Sequence, residues 1–84
     1  MAEILFTRRQ LRDALEQYRR AGSFTDSKDV AVSCLINSGE ILLDLGDYET
    51  AETKLAAALQ IDPNNNTAVQ LRQRALKQKG GANR

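Results

Sequence analysis

The chain has 84 residues, a length that accommodates one domain, and its 42% hydrophobic and 27% charged residues are the proportions of a globular chain, not of a disordered or membrane-spanning one. It contains no histidine and one cysteine, which removes histidine-based acid/base catalysis, catalytic triads, histidine metal sites, an internal disulfide and a thiolate zinc site. The net charge of +1 conceals segregation, with five arginines against three acids in residues 1–25 (+2), two lysines against eight acids in residues 26–62 (−6) and five cations with no acid in residues 63–84 (+5); no concentrated basic stripe of the nucleic-acid-binding kind results.

Four helical segments are predicted in chain order, and no strand. In the first, Leu11, Ala14, Leu15, Tyr18 and Ala21 recur at the spacing that places them on one face, while Arg8, Arg9, Arg12, Arg19 and Arg20 fall elsewhere, so an amphipathic helix ending near Gly22 is expected. Ile4, Leu5 and Phe6 form an apolar cluster near its start. Residues 22–28 read as a loop, with Asp26 or Ser27 available to cap the next helix by accepting its free backbone N–H groups. That second helix runs from about Asp29 to Leu45, with Ala31, Leu35, Ser38, Leu42 and Leu45 at helical spacing and Gly39 in its middle. Glycine there costs about 1 kcal/mol of propensity relative to alanine, which points to close approach by another helix.

Gly46 ends the second helix and Asp47 caps the third, and a two-residue connection demands a tight antiparallel hairpin. The third helix spans Tyr48 to about Ile61, with Tyr48, Ala51, Leu55, Ala58 and Leu59 inward and Glu49, Glu52, Thr53 and Lys54 toward water. Asp62-Pro63-Asn64-Asn65 stops it, because proline has no N–H for the ladder and disfavours helix in the residue before it. A fourth helix is expected over residues 66–79, with Ala68, Val69, Leu71, Ala75 and Leu76 apolar, and a flexible tail over 80–84. Cys34, between Val32, Leu35 and Ile36, reads as a buried, inert thiol. The carboxylate pairs Glu49/Glu52 and Asp44/Asp47 read as surface charge at a helix junction, since acids near a helix start complement its dipole.

The stretch VSCLINSGEILLDLGDYETAETKLAAALQIDPNN, residues 32–65, resembles one complete tetratricopeptide repeat of about 34 residues. Its large apolar position falls on Leu35, its small one on Gly39, its packing position on Leu42 and its turn on Leu45 to Tyr48. In the second helix the small, bulky and small positions fall on Ala51, Leu55 and Ala58, and the closing proline on Pro63. Ser38 departs from the pattern, where leucine is usual. Ala14, Tyr18 and Ala21 precede Ala51, Leu55 and Ala58 by 37 residues, so the first helix is similar to the closing half of a preceding repeat. The fourth resembles the solvating helix that ends such arrays, with Val69 and Leu76 at large positions and Gln73 where a small residue would admit another helix.

The resemblance implies an all-α fold, a fragment of a helical-hairpin solenoid with about four helices: one domain over 1–79, complete repeat 32–65, capping helix 66–79. It also implies a non-enzymatic interaction module or adaptor that binds a protein or peptide, without cofactor or metal. The inherited geometry places Ser33, Ile36, Asn37, Glu40, Leu43 and Asp44 of the second helix and Gln70, Arg74 and Lys77 of the fourth along a shallow groove, acidic on one wall and basic on the other, with Ile36 and Leu43 receiving an apolar anchor. Asn37 coincides with a polar position of family members that clamp terminal carboxylates, but Thr67 and Leu71 stand where that clamp needs cations, so the activity does not transfer. Structural self-assembly, as a homo-oligomer or helix-exchanged dimer, or membership of a larger complex is the alternative, because solenoids need about three repeats for a continuous core. Neither a nucleic-acid nor a membrane partner is expected. No apolar run approaches the roughly 18 residues of a spanning helix, and Met1 to Gln10 holds two arginines without a signal-type apolar stretch, so a cytoplasmic location is expected.

Overall fold

Each helix start in the computed structural model, which describes residues 7–82 (81 and 82 by backbone alone), follows from a local capping group. Helix α1 spans Arg8–Ser23, and it begins at a capping box in which the Thr7 side chain accepts from the Gln10 N–H while the Gln10 side chain accepts from the Thr7 N–H. Helix α2 spans Lys28–Leu45, and of the two expected caps it is Ser27 that accepts from Val30 N–H. Gly46 follows in the left-handed region at φ 82°, donating back to the last turn, and Asp47 then accepts from Thr50 N–H to start α3, Tyr48–Ile61. Asn65 opens α4, Asn66–Ala82, by accepting from Ala68 N–H, while its amide donates to Asp62 across the proline turn.

Three boundaries differ from the sequence-based expectation, the first being the start of α2, at Lys28 instead of Asp29. Helix α1 runs through Gly22 to Ser23, whose hydroxyl donates to Arg19 O, so the connection shrinks to residues 24–27. Gly22 is placed against Cys34: an added Cβ would stand 3.5 Å from the cysteine Cβ, an ordinary contact. Helix α4 continues through Gly80 and Gly81 to Ala82. Glycine weakens a helix by about 1 kcal/mol but does not forbid it, and no proline intervenes to stop this one. Ile4, Leu5 and Phe6, and residues 83 and 84 of the expected tail, lie outside the described residues.

The helices stack in chain order: α1 on α2, α2 on α3, α3 on α4, with a slighter contact of α2 with α4. The described residues are helical with no strand, as an all-α hairpin repeat requires. One core cluster joins Leu42, Leu43, Ala51, Leu55 and Ala75, with Leu15, Tyr48 and Leu71 packed on it; a second joins Val32, Ile36, Ala58 and Ala68, and Leu71 contacts both. Ala51, Leu55 and Ala58 are wholly buried because α3 is sandwiched between α2 and α4. Their counterparts 37 residues earlier are not: Ala14 and Tyr18 are half-buried and Ala21 is exposed, since α1 has one helix neighbour only.

Gly39 has the close contact its position predicts, for a Cβ there would fall 2.7 Å from Leu55 Cγ. Alanines are the α4 residues buried at its contact, with Ala68 and Ala75 both at 0% exposure. Of the two large positions expected in α4, Val69 is half-buried and Leu76 is 44% exposed, while Gln73 is exposed on the outer side. Glu52, expected toward water, instead stands 3.5 Å from Arg72 Nε and ties α3 to α4. Its side chain retains 22% exposure.

Candidate functional site

A groove of about 390 Å³ runs between α1 and α2. The α2 wall is Asn37, Glu40, Ile41 and Asp44, four residues at i, i+3, i+4 and i+7 and therefore one helical stripe. The α1 wall is Gln10, Leu11, Ala14 and Tyr18. Exposure sorts the lining into two levels. Leu11, Ala14, Tyr18, Asn37 and Ile41 are half-buried and make the floor, while Gln10, Glu40 and Asp44 are exposed and make the rim. The floor is thus mostly apolar with one phenol and one amide, and the charge at the rim is wholly acidic. The α1 wall is held by the capping box at Thr7 and by Arg8, whose guanidinium donates to Leu45 O at 3.0 Å; a cation there also complements the negative end of the α2 dipole.

Of the nine groove residues named from the sequence, the structure brings Asn37, Glu40 and Asp44 together in this groove, with Ser33 exposed one turn further along the same stripe. Two need correction. Ile36 is 9% exposed and Leu43 4%, and both belong to the core clusters rather than to an open anchor site. The reason is the close seating of α4: with Ala68 and Ala75 at the contact, the α2 flank that carries Ile36 and Leu43 is covered. Gln70, Arg74 and Lys77 are exposed along one stripe of α4 and are not part of the groove with α1. Leu11, Ala14 and Tyr18 are the apolar stripe that the sequence places on one face of the first helix, and in the structure they line the groove half-buried. The available signal was the single-neighbour position of the first helix, which cannot bury such a stripe completely.

No group of three or more potential metal ligands occurs among the described residues. Cys34 is buried in α2, and Asp47 is consumed as the α3 cap. Glu16, on the side of α1 away from the groove, has its carboxyl held down to about 2, chiefly by the hydrogen bond from Arg19 at 2.6 Å and further by Arg20 at 3.3 Å. No helix among the described residues is long and apolar enough to cross a membrane.

All of the α2–α3 hairpin but the first turn of α2, including its Gly39–Leu55 contact and its Gly46 turn, falls in a match to the family model described as Tetratricopeptide repeat, which covers residues 32–65. No curated protein and no solved structure matches the chain. Repeats of this family generally mediate protein–protein interaction. Residues 32–65 of this chain are a tetratricopeptide repeat.

Proposed function

We propose that the chain is a non-enzymatic interaction module that holds a segment of a partner protein in the groove between α1 and α2. The observation that carries this reading is the pairing of a half-buried apolar floor (Leu11, Ala14, Tyr18, Ile41) with an exposed acidic rim (Glu40, Asp44). A peptide with one apolar or aromatic side chain for the floor and a flanking lysine or arginine for the rim is complementary to it. Asn37 on the floor offers an amide to the peptide backbone, and Ser33 extends the polar stripe.

The test is a selection of displayed peptides on the chain, followed by affinity measurement against Tyr18→Ala and the paired reversal Glu40→Lys, Asp44→Lys. Both variants alter side chains that are not buried, so folding, checked by circular dichroism, is expected to persist. Selected peptides should be cationic, and should lose about tenfold or more in affinity for the reversed rim, since like charges across an interface cost several kcal/mol. Peptides that bind the parent and both variants equally place the interaction surface elsewhere. Substituting Ile36 cannot serve in such a test, because a charge in that core position would unfold the repeat.

Self-association is the second reading. It is favoured by Phe24, 88% exposed where α1 ends, and by Val30, 43% exposed in the first turn of α2. Sedimentation velocity across a dilution series separates the two readings, since a mass independent of concentration leaves only the module.

A further inference from the structure

A second hollow lies on the other side of α1. Helices α1 and α3 both pack on α2 without backbone contact between them, and they leave a channel of about 340 Å³ whose floor is Ser38 and Leu42 of α2. Its α3 wall carries Thr50 and Lys54, one turn apart, and its α1 wall carries Arg12, Leu15, Glu16 and Arg19. Three cations therefore line it against one carboxylate. That carboxylate is already engaged, by Arg19 at 2.6 Å and by Arg20 at 3.3 Å, whereas Arg12 and Lys54 form no ion pair among the described residues.

Ser38 is the only buried residue of polar type in the described core, at 5% exposure, in an α2 flank otherwise made of Cys34, Leu35 and Leu42. It stands where the repeat pattern carries leucine. It borders the channel and also a neighbouring hollow of about 210 Å³, and the two share Arg19, Ser38 and Lys54. A leucine side chain at this position would occupy the space both hollows open onto. Serine leaves that space open and puts a hydroxyl at its base.

We propose that this channel binds a small amphipathic anion, a carboxylate or phosphate monoester on a short alkyl body. The anionic head sits between Lys54 and Arg12, with the Ser38 and Thr50 hydroxyls as neutral donors, and the alkyl body lies on Leu15 and Leu42. A volume near 340 Å³ is at the small end of ligand pockets, about 300–1,000 Å³, which fits a metabolite-sized molecule. The site is separate from the α1–α2 groove and shares no lining residue with it.

The experiment is a titration of the isotope-labelled chain, followed by amide chemical shifts, with hexyl phosphate, hexanoate, inorganic phosphate and hexanol. Hexyl phosphate or hexanoate, whichever head fits better, should shift the amides of Ser38, Leu42 and Thr50 and bind about tenfold or more tightly than inorganic phosphate and hexanol, each of which supplies half of the interaction. Lys54→Gln should weaken binding by about tenfold or more, the loss of one hydrogen bond to a charged group. Ser38→Leu should abolish binding and raise the melting temperature; should that variant fail to fold, Arg12→Gln joins Lys54→Gln as the second arm. The rim reversal at Glu40 and Asp44 should leave the affinity unchanged. Equal binding of inorganic phosphate and hexyl phosphate, shifts confined to other residues, undiminished affinity in Lys54→Gln, or no binding by either amphiphile at millimolar concentration would each overturn the proposal.

Discussion

Replacing Gly39 tests the packing of the repeat most directly, because helix propensity and steric fit there have opposite signs. Gly39 has no positive φ, so no backbone strain attends a side chain. Alanine would favour the helix by about 1 kcal/mol. Its Cβ, however, would lie 2.7 Å from Leu55 Cγ, 2.8 Å from Cδ2 and 3.2 Å from Cδ1, and contacts under 3.0 Å require movement. Leu55 cannot move freely: it is 0% exposed and enclosed by Leu42, Leu43, Ala51 and Ala75. Overpacking of this kind costs about 1–3 kcal/mol, so alanine should be neutral to destabilising by about 2 kcal/mol, and leucine, with three further carbons to place, should lose about 3 kcal/mol or more. Since about 1 kcal/mol moves the midpoint of a domain this size by roughly 4–8 °C, thermal unfolding by circular dichroism should show Gly39→Leu melting some 10 °C or more below the parent. Trimming Leu55 to alanine costs about 2–5 kcal/mol alone but makes room for a Cβ, so the Gly39→Ala, Leu55→Ala double variant should be less destabilised than the sum of its parts. A Gly39→Ala protein that melts above the parent would refute the argument, since propensity would then have outweighed the contact.

Gly46 isolates the complementary backbone effect. Its φ of 82° is unfavourable for residues with a Cβ by about 1–2 kcal/mol, while nothing lies within 4 Å of an added Cβ, so Gly46→Ala should lower the melting midpoint by roughly 5 °C or more and Gly46→Asn by less. At Glu16 the folded-state carboxyl titrates near 2 against an ordinary value of 4.5, chiefly through the Arg19 hydrogen bond. A depressed carboxyl contributes stability above its unfolded value, and that contribution is lost as pH falls from about 4.5 through about 2. Carboxyl titration by NMR should therefore find Glu16 well below its ordinary value, and Arg19→Gln should return it toward that value.

The α2–α3 hairpin was legible in the sequence to within one residue at each boundary because its punctuation is local. Gly46 must take a left-handed φ, Asp47 must cap, and Pro63 must stop; each acts through neighbours in the chain. The start of α1 is equally local, a Thr-x-x-Gln box at Thr7 and Gln10. The end of α4 carries a weaker signal. Two glycines lower helix propensity by about 1 kcal/mol each, a bias that a continuing helix can absorb, whereas proline would have removed a hydrogen bond and added a clash. Gly39 was legible as a close contact, but only the folded chain identifies Leu55 as the partner.

The site was less legible, for a reason that Ile36 and Leu43 make concrete. A helical wheel orders the residues of α2 around its axis but does not say where a neighbouring helix stops covering it. Asn37, Glu40 and Asp44 are adjacent in angle to Ile36 and Leu43, and the line between exposed stripe and core is drawn by how far α4 descends over α2. That depth is set by Ala68 and Ala75, residues 25 or more positions away in sequence, whose small size permits close seating. On the opposite flank α1 contributes no buried residue of its own, so Leu11, Ala14 and Tyr18 remain partly open and form a wall. The same incomplete covering of α2 by α1 keeps the cationic channel open beside α3, with Ser38 on its floor. Groove and channel thus have one origin: α1 has a single helix neighbour, and a helix so placed cannot cover every residue it passes.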